Sequence, residues 1–453
     1  MLFSNGVPTA DVPFKRLDVP FRDESSRFRF TAQNDYSKQF AHIYAARLGQ
    51  MRALLESKAK DKWGDKYPLK KMFELKEDFT EKCILVGTLF KHQQLKPSIL
   101  RDISEETQLA PQPPRFNFVD EEDMLILEDE LQRIRLVGKL DVHHMVTGVV
   151  CAVLGRDSYE DGAGKFTVEE YLFYEGGPQK PLTDLTNDPL LVLISGLDQS
   201  SPNDFSMSLE LFQQWMFGNI DSFNKTDDLE AASIVRIIVA GNSVRSSFEV
   251  KQRSNLTRQP ESEITLRAVN SVDEILSHWV KSSPVDLMSG EFDPANFMLP
   301  QQPMHHCMFP KSFRSKNLRC VTNPYSCNIA DRSIVGTSGQ NVLDIQRYSK
   351  IEDGLEALKV SLVWSHLAPT SPDTLPCYPY YQKDPFIIDE CPHVYFAGNM
   401  NEFKTDLYQG ANGQRTRLVC IPAFSKTQAV AVVNLRTLAC KSLSFRLSSD
   451  FEL

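Results

Sequence analysis

Four short, largely apolar runs in the second half of the chain each lead into a glycine-containing turn. They are Leu190–Ile194 before Ser195-Gly196, Ile234–Ala240 before Gly241-Asn242, Val285–Met288 before Ser289-Gly290, and Val394–Ala397 before Gly398-Asn399. A continuous apolar run bounded by turn formers reads as a strand buried on both faces. Such a strand needs a packing layer on either side, so residues 185–453 are expected to form a layered α/β domain. Helical spacing at Leu209–Phe217, Val269–Val280 and Glu352–Leu362 supplies covering layers. Ala429–Leu435 and Leu438–Phe445 read as a closing pair of strands. The loops after such strands are where α/β domains place their chemistry.

The first half is patterned differently. Residues 1–35 are polar, with Pro8, Pro13 and Pro20 spaced through them, and read as a flexible or extended arm. Residues 36–80 read as a helical segment in which Phe40, Ile43, Tyr44, Leu48, Met51, Leu54 and Leu55 form one apolar stripe. Ser37 suits the N-cap, and Arg47, Arg52, Lys58, Lys60 and Lys62 fall on the opposite, basic face. Over residues 81–180 short β-like runs (Cys83–Phe90, Ile134–Leu140, Val146–Leu154, Phe166–Tyr174) alternate with turn formers such as Pro111-Gln112-Pro113-Pro114 and Asp161-Gly162. About five short strands suit an OB-type β-barrel, with a sandwich as the alternative. Barrels of this kind bind single-stranded nucleic acid in basic, aromatic-lined grooves. Residues 81–176 instead carry 18 Asp/Glu against 10 Lys/Arg, with acidic clusters at Asp120–Asp123 and Glu128–Glu130, and the whole chain has a net charge of −9. That balance opposes a phosphate-binding surface and suits a protein-binding barrel.

A two-metal phosphoesterase needs several carboxylates, histidines and an asparagine at its strand ends, with a general acid in reach. The calcineurin-like phosphoesterases supply these as D-x-H, G-D-x-x-[DN], G-N-H-[DE] and G-H-x-H, each after a strand. This chain resembles that order of motifs with the ligands removed. The four sites read Ser195-Gly196-Leu197, Gly241-Asn242-Ser243-Val244-Arg245, Gly290-Glu291-Phe292-Asp293 and Gly398-Asn399-Met400-Asn401. Ser195, Leu197, Asn242, Arg245, Glu291, Phe292, Asn399 and Asn401 thus occupy former metal-site positions, and Asp293 alone keeps its acid. An arginine at position 245 would repel a dication. The resemblance implies an α+β chain of two domains, an OB-type β-barrel plus an inactive calcineurin-like phosphoesterase α/β sandwich, with no catalytic residue and no metal ligand.

Several strings resemble the small, B-type subunits of the B-family DNA polymerases. They are Ala41-His42-Ile43-Tyr44, Leu127-Glu128-Asp129-Glu130-Leu131-Gln132-Arg133, Leu299-Pro300-Gln301-Gln302-Pro303, Val321-Thr322-Asn323-Pro324-Tyr325 and Gly336-Thr337-Ser338-Gly339-Gln340-Asn341-Val342. Ala368-Pro369-Thr370, Pro372-Asp373-Thr374-Leu375 and Glu390-Cys391-Pro392-His393-Val394-Tyr395-Phe396 complete the set, which is most similar to the polymerase delta branch. The resemblance implies a nuclear, non-catalytic subunit serving replication and repair. It implies docking of the cysteine-rich C-terminal module of the catalytic subunit and of a third accessory subunit, with polymerase zeta sharing the subunit in some organisms. Any zinc or iron–sulfur centre then belongs to the catalytic partner, and DNA is met only through partners. No short motif marks partner-contact residues. The competing readings are a metal-dependent phosphodiesterase or nuclease, using a set such as His305, His306 and Glu291, and a single-strand-binding OB protein.

The remaining motifs read as structural. Nine cysteines include no C-x-x-C pair, which argues for free thiols in a reducing compartment. His143-His144 and His305-His306-Cys307 read as packing or surface groups, because adjacent side chains in an extended chain point to opposite sides. Gly336–Gln340 lacks the Lys-[ST] of a phosphate-binding loop and reads as a turn. The N-x-[ST] matches at Asn224 and Asn255 come with no secretory signal and read as chance. With no run of some 18 apolar residues, no membrane span is expected.

Overall fold

The computed structural model describes residues 16–30, 36–75, 81–97, 115–158, 165–202, 205–220, 230–246 and 261–446. Asn224, Asn255 and the turns at residues 111–114 and 161–162 lie outside them. No described helix is long and apolar enough to cross a membrane.

The described part of the N-terminal arm is extended and tied to the sandwich. Strand β1 (Phe21–Asp23) pairs antiparallel with Tyr325–Ile329, and Phe28 in the 3-10 turn that follows is fully buried. Arg16 ties the arm down further, donating to Ala231 O at 2.9 Å and Ser283 Oγ at 3.0 Å.

Helix α1 (Ala41–Trp63) begins after Phe40 with no side-chain cap and ends at Gly64, whose φ of +66° needs a glycine. Ser37 is therefore not the N-cap, since it lies well before the first turn. Leu48, Met51, Leu55 and Ala59 pack on Ile84, Val86, Val150 and Ala152 of the barrel. Two stripe assignments change. Phe40 is exposed, and Arg47 is fully buried rather than on a basic outer face.

The barrel strands are β2 (Cys83–His92), β3 (Met124–Glu128), β4 (Arg133–Gly138), β5 (Val150–Ser158) and β6 (Lys165–Leu172), closed in the order β2-β3-β4-β6-β5. Closure decides against a sandwich here. Strand β3 lies between the two acidic clusters, and its alternate residues Leu125 and Leu127 point into the core. Asp123 of the first cluster is itself buried, 3.5 Å from the buried Lys91 Nζ.

Two six-stranded sheets follow. The first has the order β10-β9-β8-β7-β16-β17, from β7 (Leu190–Ile194), β8 (Ile234–Ala240), β9 (Val285–Met288), β10 (Leu318–Val321), β16 (Ala429–Asn434) and β17 (Cys440–Ser444). The second has the order β1-β11-β12-β13-β15-β14, from β11 (Tyr325–Ile329), β12 (Arg332–Thr337), β13 (Val394–Met400), β14 (Lys404–Gln409) and β15 (Arg415–Pro422) beside β1. Leu191, Leu193, Ile238, Met288, Phe396, Val419 and Val433 fill the space between the sheets. The outer face of the first sheet carries Ile194, Ile237 and Val239, covered by Phe212 and Trp215 of α2 (Ser206–Met216) and Trp279 of α3 (Glu261–Trp279). Both faces being covered is why these runs are apolar throughout. The charged exceptions, Arg236 and Asp286, meet across β8 and β9 at 2.7 Å, with Tyr325 Oη donating to the same carboxylate at 2.8 Å.

Helices α4 (Gln340–Tyr348) and α5 (Gly354–Val363) cover the second sheet through Ile345, Leu358 and Leu362. The same apolar cluster runs on through Phe173 and Phe166 to Leu85 and Leu127 of the barrel. Barrel and sandwich therefore share one core.

Candidate functional site

Strands β7, β8 and β9 run parallel, so their C-terminal ends emerge along one edge. In the facing sheet Gly398 and Asn399 lie not in a turn but inside β13, at a register shift between Ala397 and Met400, and all four glycine segments meet. Gly196 N–H donates to Gly241 O at 2.9 Å. A Cβ on Gly241 would lie 2.8 Å from Gly290 Cα, and one on Gly398 would lie 2.4 Å from Ala240 O. Gly241 (φ +80°), Asn242 (φ +53°) and Asn399 (φ +56°) are left-handed. These positions demand small or amide residues for packing alone.

Several polar side chains at these strand ends are engaged by the backbone. Ser195 Oγ donates toward Pro422 O at 3.1 Å and accepts from Asn399 N–H at 2.9 Å. Asn399 Nδ2 donates to Ser338 O at 2.9 Å and Ala240 O at 3.1 Å. Asn242 Oδ1 accepts from Phe292 N–H at 3.2 Å. Asp293 is buried and accepts from Val244 N–H at 2.8 Å and Gly290 N–H at 2.9 Å. Burial pushes its carboxyl pKa up to about 6, against the opposing pull of these backbone donors. Arg245 is buried, and Glu291 and Phe292 are half-buried. Leu197 belongs to the apolar cluster under α2. Asn401 is exposed and lines a separate small pocket with Asp353, Glu402 and Lys404.

Three of the strings singled out in the sequence converge here, a meeting their spacing did not reveal. Asn323 Nδ2 lies 2.8 Å from Gln301 Oε1, 2.9 Å from Ser338 Oγ and 2.7 Å from Gln340 Oε1. Gln301 Nε2 in turn donates to Gly290 O at 2.9 Å. Asp198, also missed, takes Ser200 Oγ at 2.9 Å and Ser246 N–H at 3.1 Å. Asp293 and Asp198 are thus held by the loops' own donors.

A second buried cluster was also illegible. Arg47 Nε donates to Asp384 Oδ2 at 2.7 Å, Nη1 to Gly148 O and Pro369 O at 2.9 Å, and Nη2 to Ser371 O at 2.7 Å. His366 Nε2 shares Asp384 Oδ2 at 2.9 Å. Burial, then the neighbouring Arg47 cation, lowers the His366 pKa to about 4. Burial alone would raise the Asp384 carboxyl, but Arg47 and His366 outweigh it and hold it far below the usual carboxylate range. Among the histidine pairs, His144 Nδ1 sits 2.6 Å from Asp141 Oδ2. His305-His306-Cys307 is not extended but enters a 3-10 turn.

Residues 39–171 match the family described as DNA polymerase delta subunit OB-fold domain, and residues 191–405 match the family of the B-type subunit of DNA polymerases alpha and epsilon. A closed barrel followed by this sandwich is thus the architecture of a B-type DNA polymerase subunit. The chain is 53% identical over 437 residues to DNA polymerase delta subunit 2 of Drosophila melanogaster, covering 96% of this chain and 99% of that protein. It is 38% identical to the DNA polymerase delta small subunit of Oryza sativa (96% of this chain, 100% of that one) and 30% identical to that of Saccharomyces cerevisiae (91% and 90%). The chain belongs to the family of DNA polymerase delta small subunits.

Proposed function

We propose that this chain is a non-catalytic accessory subunit of DNA polymerase delta, a nuclear scaffold for replication and repair synthesis. Its sandwich is a calcineurin-like phosphoesterase fold that has lost its chemistry. The observation that carries this reading is the closed strand-end nexus, where Ser195, Asn242, Asn399 and Asp293 bond to backbone instead of facing outward. Hydrolysis by this fold needs two cations and an activated water, which neutral amides do not assemble.

The scaffold docks the cysteine-rich C-terminal module of the catalytic subunit and, on another surface, a third accessory subunit. Polymerase zeta is a second user in some organisms. The zinc or iron–sulfur centre lies on the catalytic partner, and DNA is reached through the partners. A groove of about 1080 Å³ along the barrel–sandwich junction, between Lys58 and Lys62 of α1, Tyr174, Gln179 and Arg415, is the proposed seat of the module. The acidic balance of residues 81–176 supports protein rather than DNA as the ligand of the barrel.

Co-expression with that module, followed by size-exclusion chromatography with mass determination, tests the reading. A stable 1:1 complex is expected, burying more than about 1,000 Å². A well-folded chain that stays alone would overturn it.

A further inference from the structure

The loop between β9 and β10 tightens into two 3-10 turns, His306–Met308 and Ser312–Arg314, and the first packs against α3. His305 caps this turn, its Nδ1 accepting from Cys307 N–H at a long 3.3 Å. The His305 and His306 rings meet tilted by 34° with centroids 4.2 Å apart, and His306 stacks on Phe313 at 5.0 Å. One donor atom from each of His305, His306 and Cys307 lies within 4.8 Å of the others, and all three residues are exposed. The other eight cysteines are buried or half-buried, so Cys307 is the accessible thiol of the molecule.

An extended chain would set these neighbouring side chains on opposite sides, and the turn instead brings them to one. A tetrahedral zinc ion with N and S ligands at ordinary bond lengths sets its ligand atoms roughly 3.5 Å apart. The three donors need to close by only about 1 Å, within the reach of exposed side-chain rotations. Two imidazoles and a thiolate favour zinc over the hard cations magnesium and calcium. We propose that His305, His306 and Cys307 form a surface zinc site, with water in the fourth position. It uses none of the strand-end residues and involves no hydrolytic role. Binding converts the Cys307 thiol to a metal-bound thiolate and releases its proton to solvent. It also replaces the long capping bond of His305 wherever Nδ1 is the ligand, and it shields the one accessible thiol from alkylation and oxidation.

The test uses the full chain, reduced and stripped of metal, titrated with zinc chloride alone. Iodoacetamide modification of Cys307 is then followed by mass spectrometry. One equivalent of zinc is expected to slow modification by about tenfold or more, since the free thiolate is the nucleophile. His306→Ala should abolish the protection while the thiol itself still reacts, and Cys307→Ser should lose the tight equivalent with an unchanged circular dichroism spectrum. Unchanged reactivity of wild-type Cys307 in saturating zinc would overturn the site. So would equal protection in His306→Ala.

Discussion

At the scale of single residues, the strand-end nexus is held by hydrogen bonds to the backbone, and Asp293 reports on it. A carboxyl whose folded pKa is raised binds its proton more tightly in the folded state. Its contribution to stability is complete below the unfolded value of 3.8 and is lost as pH rises through about 6. The shift corresponds to roughly 3 kcal/mol as an upper bound. Urea unfolding at pH 4.5 and 7.5 should show the wild type losing up to about 2 kcal/mol relative to Asp293→Asn on going to the higher pH. A pH-independent difference would show that the carboxyl is not desolvated as described. The glycines divide in the same way. Gly398→Ala would drive a methyl to within 2.4 Å of Ala240 O and should cost more than about 2 kcal/mol. Gly49 lies exposed within α1 with nothing near its Cβ position, so Gly49→Ala should stabilise by about 0.5–1 kcal/mol. Chemical denaturation of the two variants separates a glycine required by packing from one that is not.

At the scale of elements, α1 is held by more than its apolar stripe. Arg47 reaches through to Asp384, Gly148, Pro369 and Ser371, so one side chain joins the helix, the barrel and the sandwich. Arg47→Ala takes the guanidinium from the buried Asp384 carboxylate, leaving it His366 as its remaining side-chain partner on Oδ2, and should cost about 3–5 kcal/mol. Hydrogen exchange should show the α1 amides losing protection first; exchange unchanged in α1 would mean the contact is not what holds the helix. Here too the sequence ceases to be legible. The apolar strands β7, β8 and β9 were legible because burial on both faces leaves no polar alternation to confuse. Strand β3 was not, since its four apolar residues are enclosed by acids that mask a period of two. Arg47 fits a basic face by spacing, and only the distant carbonyls it meets reveal that it is buried. The glycines at the strand ends could be read off, but not the amide network from Gln301, Asn323 and Gln340, whose members are brought together by strand order and not by proximity in sequence.

At the scale of the molecule, the apolar cluster that passes from Leu85 and Phe166 through Phe173 to Trp364 and Leu362 makes barrel and sandwich one cooperative body. Calorimetry should record a single unfolding transition at neutral pH, with equal calorimetric and van't Hoff enthalpies. Two resolved transitions would show the barrel melting by itself. Two domains were legible from the change of patterning near residue 180, but a shared core was not, because α5 shows the same apolar residues whether it covers a sheet or a barrel as well. That shared core gives the chain a property that neither half would have alone. Phe173 and Trp364 meet edge to face with ring centroids 6.5 Å apart, at the corner where the barrel would otherwise pivot. A body packed solid at that corner would work as a set square. Whatever is fastened to its two arms is kept at a constant angle, and a cavity cut into that corner would misalign the assembly without loosening either joint.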